Sequence, residues 1–460
     1  MKRNLLLSTV TITLMLISIL FITTMVYKTQ ADNPLTEYIQ EHNVTYTKVW
    51  AMGMVKLDDG KILNLFERGT HAQNIYSDIM LHNSTDNGTT WGAEVLLKEH
   101  DGTYGYIPQD MIIAPNGNII FHYLEWGSRT HSYMGQMHST DNGLSWIDDG
   151  RVAGTTTYYG LVSNAITLSD GYTMVVALSE CVSTSYDNSE CIISTDNASS
   201  WTRSNQVPRP PGEDSVYEPT VVELSNGTLV MYCRSHGNGY LWKTFSEDKG
   251  INWCTAFASD VIAPSAPASL LRYSWSPSVI LMAWDNSTVN RYPLNVSVSY
   301  DECETWVEST LLQDESLGNV AYPRFLDCTT DNGLIFLNAW IRTETYDDGM
   351  GYRFSMSWLN ASFLLMTPEF ISIDGGTNGT VIYTSTPTFN WTTITGAVMY
   401  NLQVARDSAF TDLVVNLSDI NEYEYPAYYN ENATRVSFTL PNANALPSRR
   451  EYFCRVRALA

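Results

Sequence analysis

A carboxylate, several guanidinium groups, a phenol and an imidazole stand at one register of a repeated pattern in this 460-residue sequence. They are Arg68 and His71, then Arg129, Glu218 with Arg234 sixteen residues on, Arg291, and Tyr322 with Arg324; Trp50 shares their register. Arginine holds a carboxylate through two parallel hydrogen bonds and never loses its charge. Such a set can bind a small anion even in a chain of net charge -23, because screening confines bulk charge to about 10 Å at ordinary salt. The same net charge excludes nucleic acid as a default partner, since polyanion binding needs a basic face.

The register is set by five short boxes: Ser84–Trp91, Ser139–Trp146, Ser194–Trp201, Ser246–Trp253 and Ser299–Trp306. Three of them read STDNGTTW, STDNGLSW and STDNASSW, and the later two SEDKGINW and SYDECETW. Their first residues lie 55, 55, 52 and 53 apart, so one supersecondary block repeats at a fixed period, in a circular or stacked array. The box reads as a hairpin staple. Ser and Asp bond backbone amides one or two residues on, Gly supplies positive φ, and Trp packs under the sheet. Ala198 and Cys303 occupy the Gly position in two copies, at a cost if φ is positive there.

Between boxes run short apolar or alternating segments punctuated by Gly, Asn and Asp, with no sustained helical period. The fourth repeat, SVYEPTVVELS, GTLVMYCRS, YLWKTFS and CTAFASD, gives four strands in a meander with the box between the third and fourth. YIPQDMIIA, NIIFHYLEW, SYMGQMHS and WIDDGRV do the same in the second. With an unboxed sixth unit (VAYPRFLDC, LIFLNAWIR, YRFSMSWLN), the prediction is all-β: a six-bladed β-propeller of four-stranded antiparallel blades over residues 44–365. In such a meander the boxes lie on one rim, and the candidate side chains collect on the other.

Residues 1–31 read as a signal peptide or a signal anchor. Met1-Lys2-Arg3 precedes an uncharged run, Asn4 to Val26, long enough to span a bilayer. Everything after about Asp32 is then outside the cytoplasm, secreted or anchored to the cell membrane. Twelve Asn-x-Ser/Thr sequons, Asn295 and Asn390 among them, suit a glycosylated surface. Seven cysteines suit an oxidising compartment. The expected pairs are Cys181 with Cys191, Cys233 with Cys254 and Cys303 with Cys328, leaving Cys454 over. No CxxC pair is present, so no zinc site is expected, and no metal or cofactor is assigned.

After about Thr367 the composition shifts. TPTFNWTTITGAVMYNLQVARDSAF and EYFCRVRA place Trp391, Tyr400 and Tyr452 as sandwich-core residues. Residues 367–460 thereby resemble a fibronectin type III domain that stops one strand short.

Asp boxes on a six-bladed propeller resemble the sialidase (neuraminidase) superfamily. Glu218-Pro-Thr-Val-Val-Glu-Leu with Arg234 is similar to the family's Glu-then-Arg motif, and Arg291, eight residues before a box, stands where another triad arginine does. Ala321-Tyr322-Pro-Arg-Phe-Leu before Asp331-Asn-Gly resembles the segment bearing the nucleophilic tyrosine, and Phe66-Glu67-Arg68 a segment whose arginine lines the pocket. The resemblance implies Tyr322 as nucleophile, Glu218 as its base, and Arg234 and Arg291 as the carboxylate grip, with Arg68 and Arg324 as further substrate-binding residues. The first repeat departs from the pattern. Val49-Trp50-Ala51-Met52 replaces Phe-Arg-Ile-Pro, and Thr70-His71-Ala72-Gln73 carries no acid/base aspartate; His71 is the candidate proton donor, while Asp78, nearby in sequence, reads as mid-strand.

A sialic acid bears its carboxylate on the anomeric carbon, where an Asp or Glu nucleophile would be repelled; a neutral phenol is not, and sialidases are the stated exception that uses Tyr. Tyrosine, with an ordinary pKa of about 10, needs a base within reach. The resemblance implies an extracellular retaining glycosidase acting on sialic acid or a related acidic sugar of glycans. The alternative is a catalytically impaired carbohydrate-binding or adhesion propeller.

Overall fold

A computed structural model describes residues 42–459 apart from 45–48, 70–74, 87, 89, 129–130, 153–158, 182–186, 214, 276–277, 314–318, 327–333, 347–348, 361–369, 374–383, 394–398, 407–412, 433 and 447–451. Contacts divide the chain into two compact units, one of Ile39–Leu359 and one that includes Asn360–Ala460. Among the described residues both are β throughout, save a single 3-10 turn at Asn442–Asn444.

The larger unit holds six antiparallel sheets in chain order, five of four strands and one, the second, of five. Sheet four is typical: Tyr217–Glu223, Leu229–Arg234, Tyr240–Ser246 and Phe257–Ile262 pair with their neighbours in sequence. Sheet two departs from the expected meander because its first strand is broken. Gly105–Pro108 and Ile112–Ile113 both pair with Ile119–Ser128, which leaves Gln109 and Asp110 between them. Sheet six gains a strand that the sequence did not reveal: His42–Val44 pairs antiparallel with Gly349–Asn360. Three residues at the far end of the chain carry no periodic signal.

Both faces of a sheet are covered, so central strands read as unbroken apolar runs and not as alternations. Met174, Val175, Val176, Ala177 and Leu178 are all fully buried. Val175 and Ala177 join a core with sheet-four residues such as Val221 and Met231, while Val176 and Leu178 join one with sheet-two residues such as Leu124 and Met134. Successive sheets meet through their first strands, that of sheet six against Val49–Lys56 of sheet one, except that Tyr159–Thr167 of sheet three meets Ile119–Ser128 and His131–Ser139 of sheet two. Where sheets one and two meet, a Cβ on Gly53 would stand 2.8 Å from the Asp110 carbonyl carbon. Only glycine permits that approach of backbone to side.

Each box is a staple, though of longer reach than one or two residues. Ser84 Oγ donates to Asp86 Oδ1 at 2.8 Å and accepts the Gly88 amide at 2.8 Å; Asp86 Oδ1 accepts the Thr90 amide at 2.8 Å. Ser139, Ser194, Ser246 and Ser299 repeat the pattern. The Gly position has positive φ, +64° at Ala198 and +65° at Cys303. The box hydroxyl holds those two left-handed residues, accepting their amides at 3.0 and 2.8 Å. The closing Trp seals its sheet against the preceding one. Trp201 Nε1 donates to Gln136 Oε1 at 2.7 Å, and Trp306 Nε1 to the Tyr232 hydroxyl at 3.1 Å.

Several expectations are overturned. Cys191, Cys233, Cys254 and Cys303 are free thiols, which removes all three expected pairs. Cys233 and Cys191 point into one apolar core, whereas Cys254 lies exposed on the far edge of its sheet. Two sequons cannot carry glycans: Asn295 is buried, and buried Asn390 bonds Ser372 and Ser437. The proposed leader, residues 1–31, lies outside the described residues, among which no helix is long and apolar enough to cross a membrane.

The smaller unit has two antiparallel sheets, one of four strands and one of three. They share a single core in which Phe389, Trp391 and Phe438 from one sheet meet Tyr400, Leu402 and Val456 from the other.

Candidate active site

Glu218 and Tyr322 sit near the starts of the first strands of sheets four and six, and both have left-handed backbones, φ +46° and +56°. Each falls at a break in strand register, between Tyr217 and Pro219 and between Ala321 and Arg324. A bulge re-aims the side chain it carries, and a non-glycine residue at positive φ costs on the order of 1–3 kcal/mol. The Glu218 amide is held by Ser179 Oγ of sheet three, so a neighbouring sheet helps fix the strained turn.

The two side chains meet. The Tyr322 hydroxyl donates to Glu218 Oε1 at 2.9 Å, and Arg234 Nη1 donates to Glu218 Oε2 at 2.7 Å and to the Tyr322 oxygen at 3.3 Å. Arg234 ends the second strand of sheet four, where it pairs with Tyr217 and lies 4.6 Å over that ring. All three groups are nearly buried, Glu218 and Tyr322 at 6% exposure each. Burial pushes the Tyr322 phenol up, and Glu218 adds to that; Arg234 and Arg291 pull the other way without reversing it. Burial opposes the charge of Arg234, yet Glu218 and the surrounding phenols outweigh it and raise its pKa.

Arg291 reaches the same place from the turn before the third strand of sheet five. Its guanidinium lies 5.7 Å from the Tyr322 ring centroid, and its Nε and Nη2 donate to the Ser265 carbonyl at 3.1 and 2.8 Å. The Ser265 hydroxyl accepts Arg234 Nε at 3.1 Å and Nη2 at 2.8 Å. Arg324 is buried below. Burial pushes it down to about 10, opposed by Glu218, Asp110 and Tyr322. Sheets two, four, five and six therefore contribute to one charged cluster.

Sequence reasoning did not single out Ser265, Tyr217, Ser179 or Asp110. Asp110 stands in the strand break of sheet two, where it accepts the buried His122 ring nitrogen at 2.9 Å. Arg68 is half exposed and paired with Asp78 at 3.1 Å. Asp78 opens its strand and does not lie mid-strand; it also accepts the His100 amide at 3.0 Å. His71 lies outside the described residues.

One strand position before Arg68, Glu67 is buried at 1% exposure with a hydrogen bond from Ser77. Burial pushes its carboxyl up from 4.5 to about 7. The folded chain then holds a proton that the unfolded chain releases, so this contribution to stability is complete below pH about 4.5 and declines as pH rises to about 7. Glu67→Gln should remove the decline. Between pH 4.5 and 7.5 the variant is expected to gain on the order of 2–3 kcal/mol over wild type in urea titrations. Parallel stability profiles would show that Glu67 ionises as freely folded as unfolded.

Fold and cluster define an all-β Asp-box protein with a buried charged cluster drawn from several sheets, and residues 114–337 match the BNR repeat-like domain family. The chain is 28% identical over 250 residues to a sialidase of Clostridium perfringens, covering 48% of this chain and 64% of that one. It is 29% identical over 206 residues to a sialidase of Paraclostridium sordellii, covering 39% and 50%. It thus spans between half and two thirds of these relatives. Among solved structures, a Hadza microbial sialidase superposes with a TM-score of 0.55 at 18% identity, covering 69% of this chain and 68% of that chain. The NanB sialidase of Streptococcus pneumoniae gives 0.56 at 13% identity, covering 71% of each. At these identities the superpositions show a shared fold, and together with the sequence matches they support the sialidase superfamily.

Proposed function

We propose that this chain is a sialidase-like glycoside hydrolase that releases sialic acid or a related acidic sugar from glycans and retains anomeric configuration. The observation that carries the reading is the Tyr322–Glu218–Arg234 contact, a phenol 2.9 Å from a carboxylate that the arginine bridges at 2.7 Å. Arg234 and Arg291 bind the sugar carboxylate, and Arg324 and Arg68 complete the binding surface. Tyr322 attacks the anomeric carbon as Glu218 takes its proton; the leaving oxygen is protonated by a general acid, for which His71 is the candidate. Water then displaces the tyrosyl oxygen, losing its proton to the general acid that was deprotonated in the first step, and Glu218 returns its proton to the departing Tyr322 oxygen.

On this reading residues 44–365 are a six-bladed propeller closed by the pairing of His42–Val44 with the last strand. Residues 367–460 are a fibronectin type III-like β-sandwich that spaces or attaches it, and residues 1–31 export it as a signal peptide or membrane anchor. The impaired, glycan-binding alternative is favoured by two features of the first repeat, Val49-Trp50-Ala51-Met52 without the first arginine and Thr70-His71-Ala72-Gln73 without a carboxylic acid.

Hydrolysis of a fluorogenic sialoside by the purified chain, with a uronide as comparator, tests the reading. Turnover of the sialoside is expected. Glycan-array binding without turnover, surviving Tyr322→Phe, would establish the alternative.

A further inference from the structure

We infer that Ser265 is a positioning residue that clamps Arg234 and Arg291 at a fixed separation, an inference that rests on the role proposed for those arginines. A serine hydroxyl has two acceptor lone pairs and a carbonyl has two more. Ser265 uses all four. Its hydroxyl takes Nε and Nη2 of Arg234 at 3.1 and 2.8 Å, and its carbonyl takes Nε and Nη2 of Arg291 at 3.1 and 2.8 Å. The one proton left on the hydroxyl has a partner in Tyr217, itself 3.3 Å from His236 Nδ1.

The same edge of both guanidinium groups is therefore held by two oxygens of one residue, whose separation varies only with the χ1 and ψ of Ser265. With that edge fixed, Nη1 of Arg234 faces Glu218 and Tyr322, which leaves its second Nη2 proton and the Nη1 of Arg291 for the carboxylate of a ligand. A flexible arginine gives up rotamer freedom when it is ordered; the clamp makes that loss before any ligand arrives.

The local chain suits a rigid clamp. Ser265 lies in Pro264-Ser265-Ala266-Pro267, where the Ala266 amide bonds the Pro264 carbonyl at 2.7 Å. Pro264 has a fixed φ, and Ala266 is restricted by the proline after it. Ser265 is half buried, four residues before the first strand of sheet five, Ser269–Trp275.

The test has one arm that needs no substrate. Phenylglyoxal adds to guanidinium groups, and peptide mass spectrometry reads its rate at Arg234 and Arg291 separately. In the full chain, Ser265→Ala is expected to react at Arg234 at least fivefold faster than wild type, with Arg291 within twofold because its partner is the backbone. Ser265→Thr keeps the hydroxyl and should stay within twofold of wild type at both. Thermal unfolding confirms that each variant is folded. An unchanged Arg234 rate in Ser265→Ala overturns the clamp. In the sialoside assay the clamp predicts a KM about tenfold higher for Ser265→Ala with kcat within threefold, and Ser265→Thr near wild type. A fall confined to kcat overturns the positioning role. Absence of sialoside binding and turnover in wild type overturns the enzymatic reading alone, and the arginine rates still decide the clamp.

Discussion

Tyr322→Phe should lower kcat on a sialoside by about a thousandfold or more and leave KM within a few fold. Phenylalanine keeps the ring and the pocket shape and deletes only the attacking oxygen, so the loss falls on the transition state; a thousandfold corresponds to about 4 kcal/mol. The buried phenol cannot supply free phenolate at neutral pH, because burial and then Glu218 push its pKa up. Its proton has to pass to Glu218 Oε1, 2.9 Å away, as the new bond forms. Glu218→Gln should therefore match Tyr322→Phe within about tenfold, and the double variant should be little worse than either, since the two groups act as one unit. Multiplying losses, measured as kcat/KM across the four proteins, would show that the pair does not act together.

Arg234→Ala is expected to hurt stability as well as activity. Its side chain and that of Glu218 are 11% and 7% exposed, at 2.7 Å. Removing one partner of a buried ion pair leaves the other charge uncompensated and costs about 3–5 kcal/mol. The variant should also lose at least about a hundredfold in kcat/KM, from the absent carboxylate grip and a misplaced Glu218. Arg234→Lys should recover most of the stability and little of the activity, because a point charge can face Glu218 but cannot also span Ser265, Tyr322 and a ligand carboxylate as the planar guanidinium does. A urea midpoint for Arg234→Ala equal to wild type would mean that Glu218 is neutral or rehydrated there, against the contact observed.

What the chain revealed in advance followed from periodicity. Five boxes at a near-constant interval gave the meander, though neither the break in sheet two nor the added strand of sheet six, and the register at which Glu218, Arg234, Arg291 and Tyr322 emerge; the structure brings those four together. Features without a period were not visible. The strand break that sets Asp110 apart depends on where sheet one's backbone lies, through Gly53. The left-handed conformations of Glu218 and Tyr322 break a rule of local propensity, as strained sites do. Ser265 looked like one residue of a proline turn, because its importance lies in two arginines 31 residues before it and 26 after it. Cysteine pairing failed because spacing along the chain does not say which face of a strand a thiol occupies. Arg68, set beside the pocket by sequence, is engaged by Asp78 across its own hairpin.

The account depends on Tyr322 forming a bond to the sugar. A sialic acid carrying fluorine at C2 and C3 tests this directly, because the C2 fluoride is a good leaving group while the C3 fluorine destabilises the oxocarbenium-like transition state through which a glycosyl-enzyme would hydrolyse. After brief exposure and proteolysis, mass spectrometry should find the fluorosialyl adduct on the peptide containing Tyr322, and Glu218→Gln should carry far less of it. Sialoside hydrolysis by the wild-type chain with no adduct at Tyr322, or with the adduct on another residue, would contradict it.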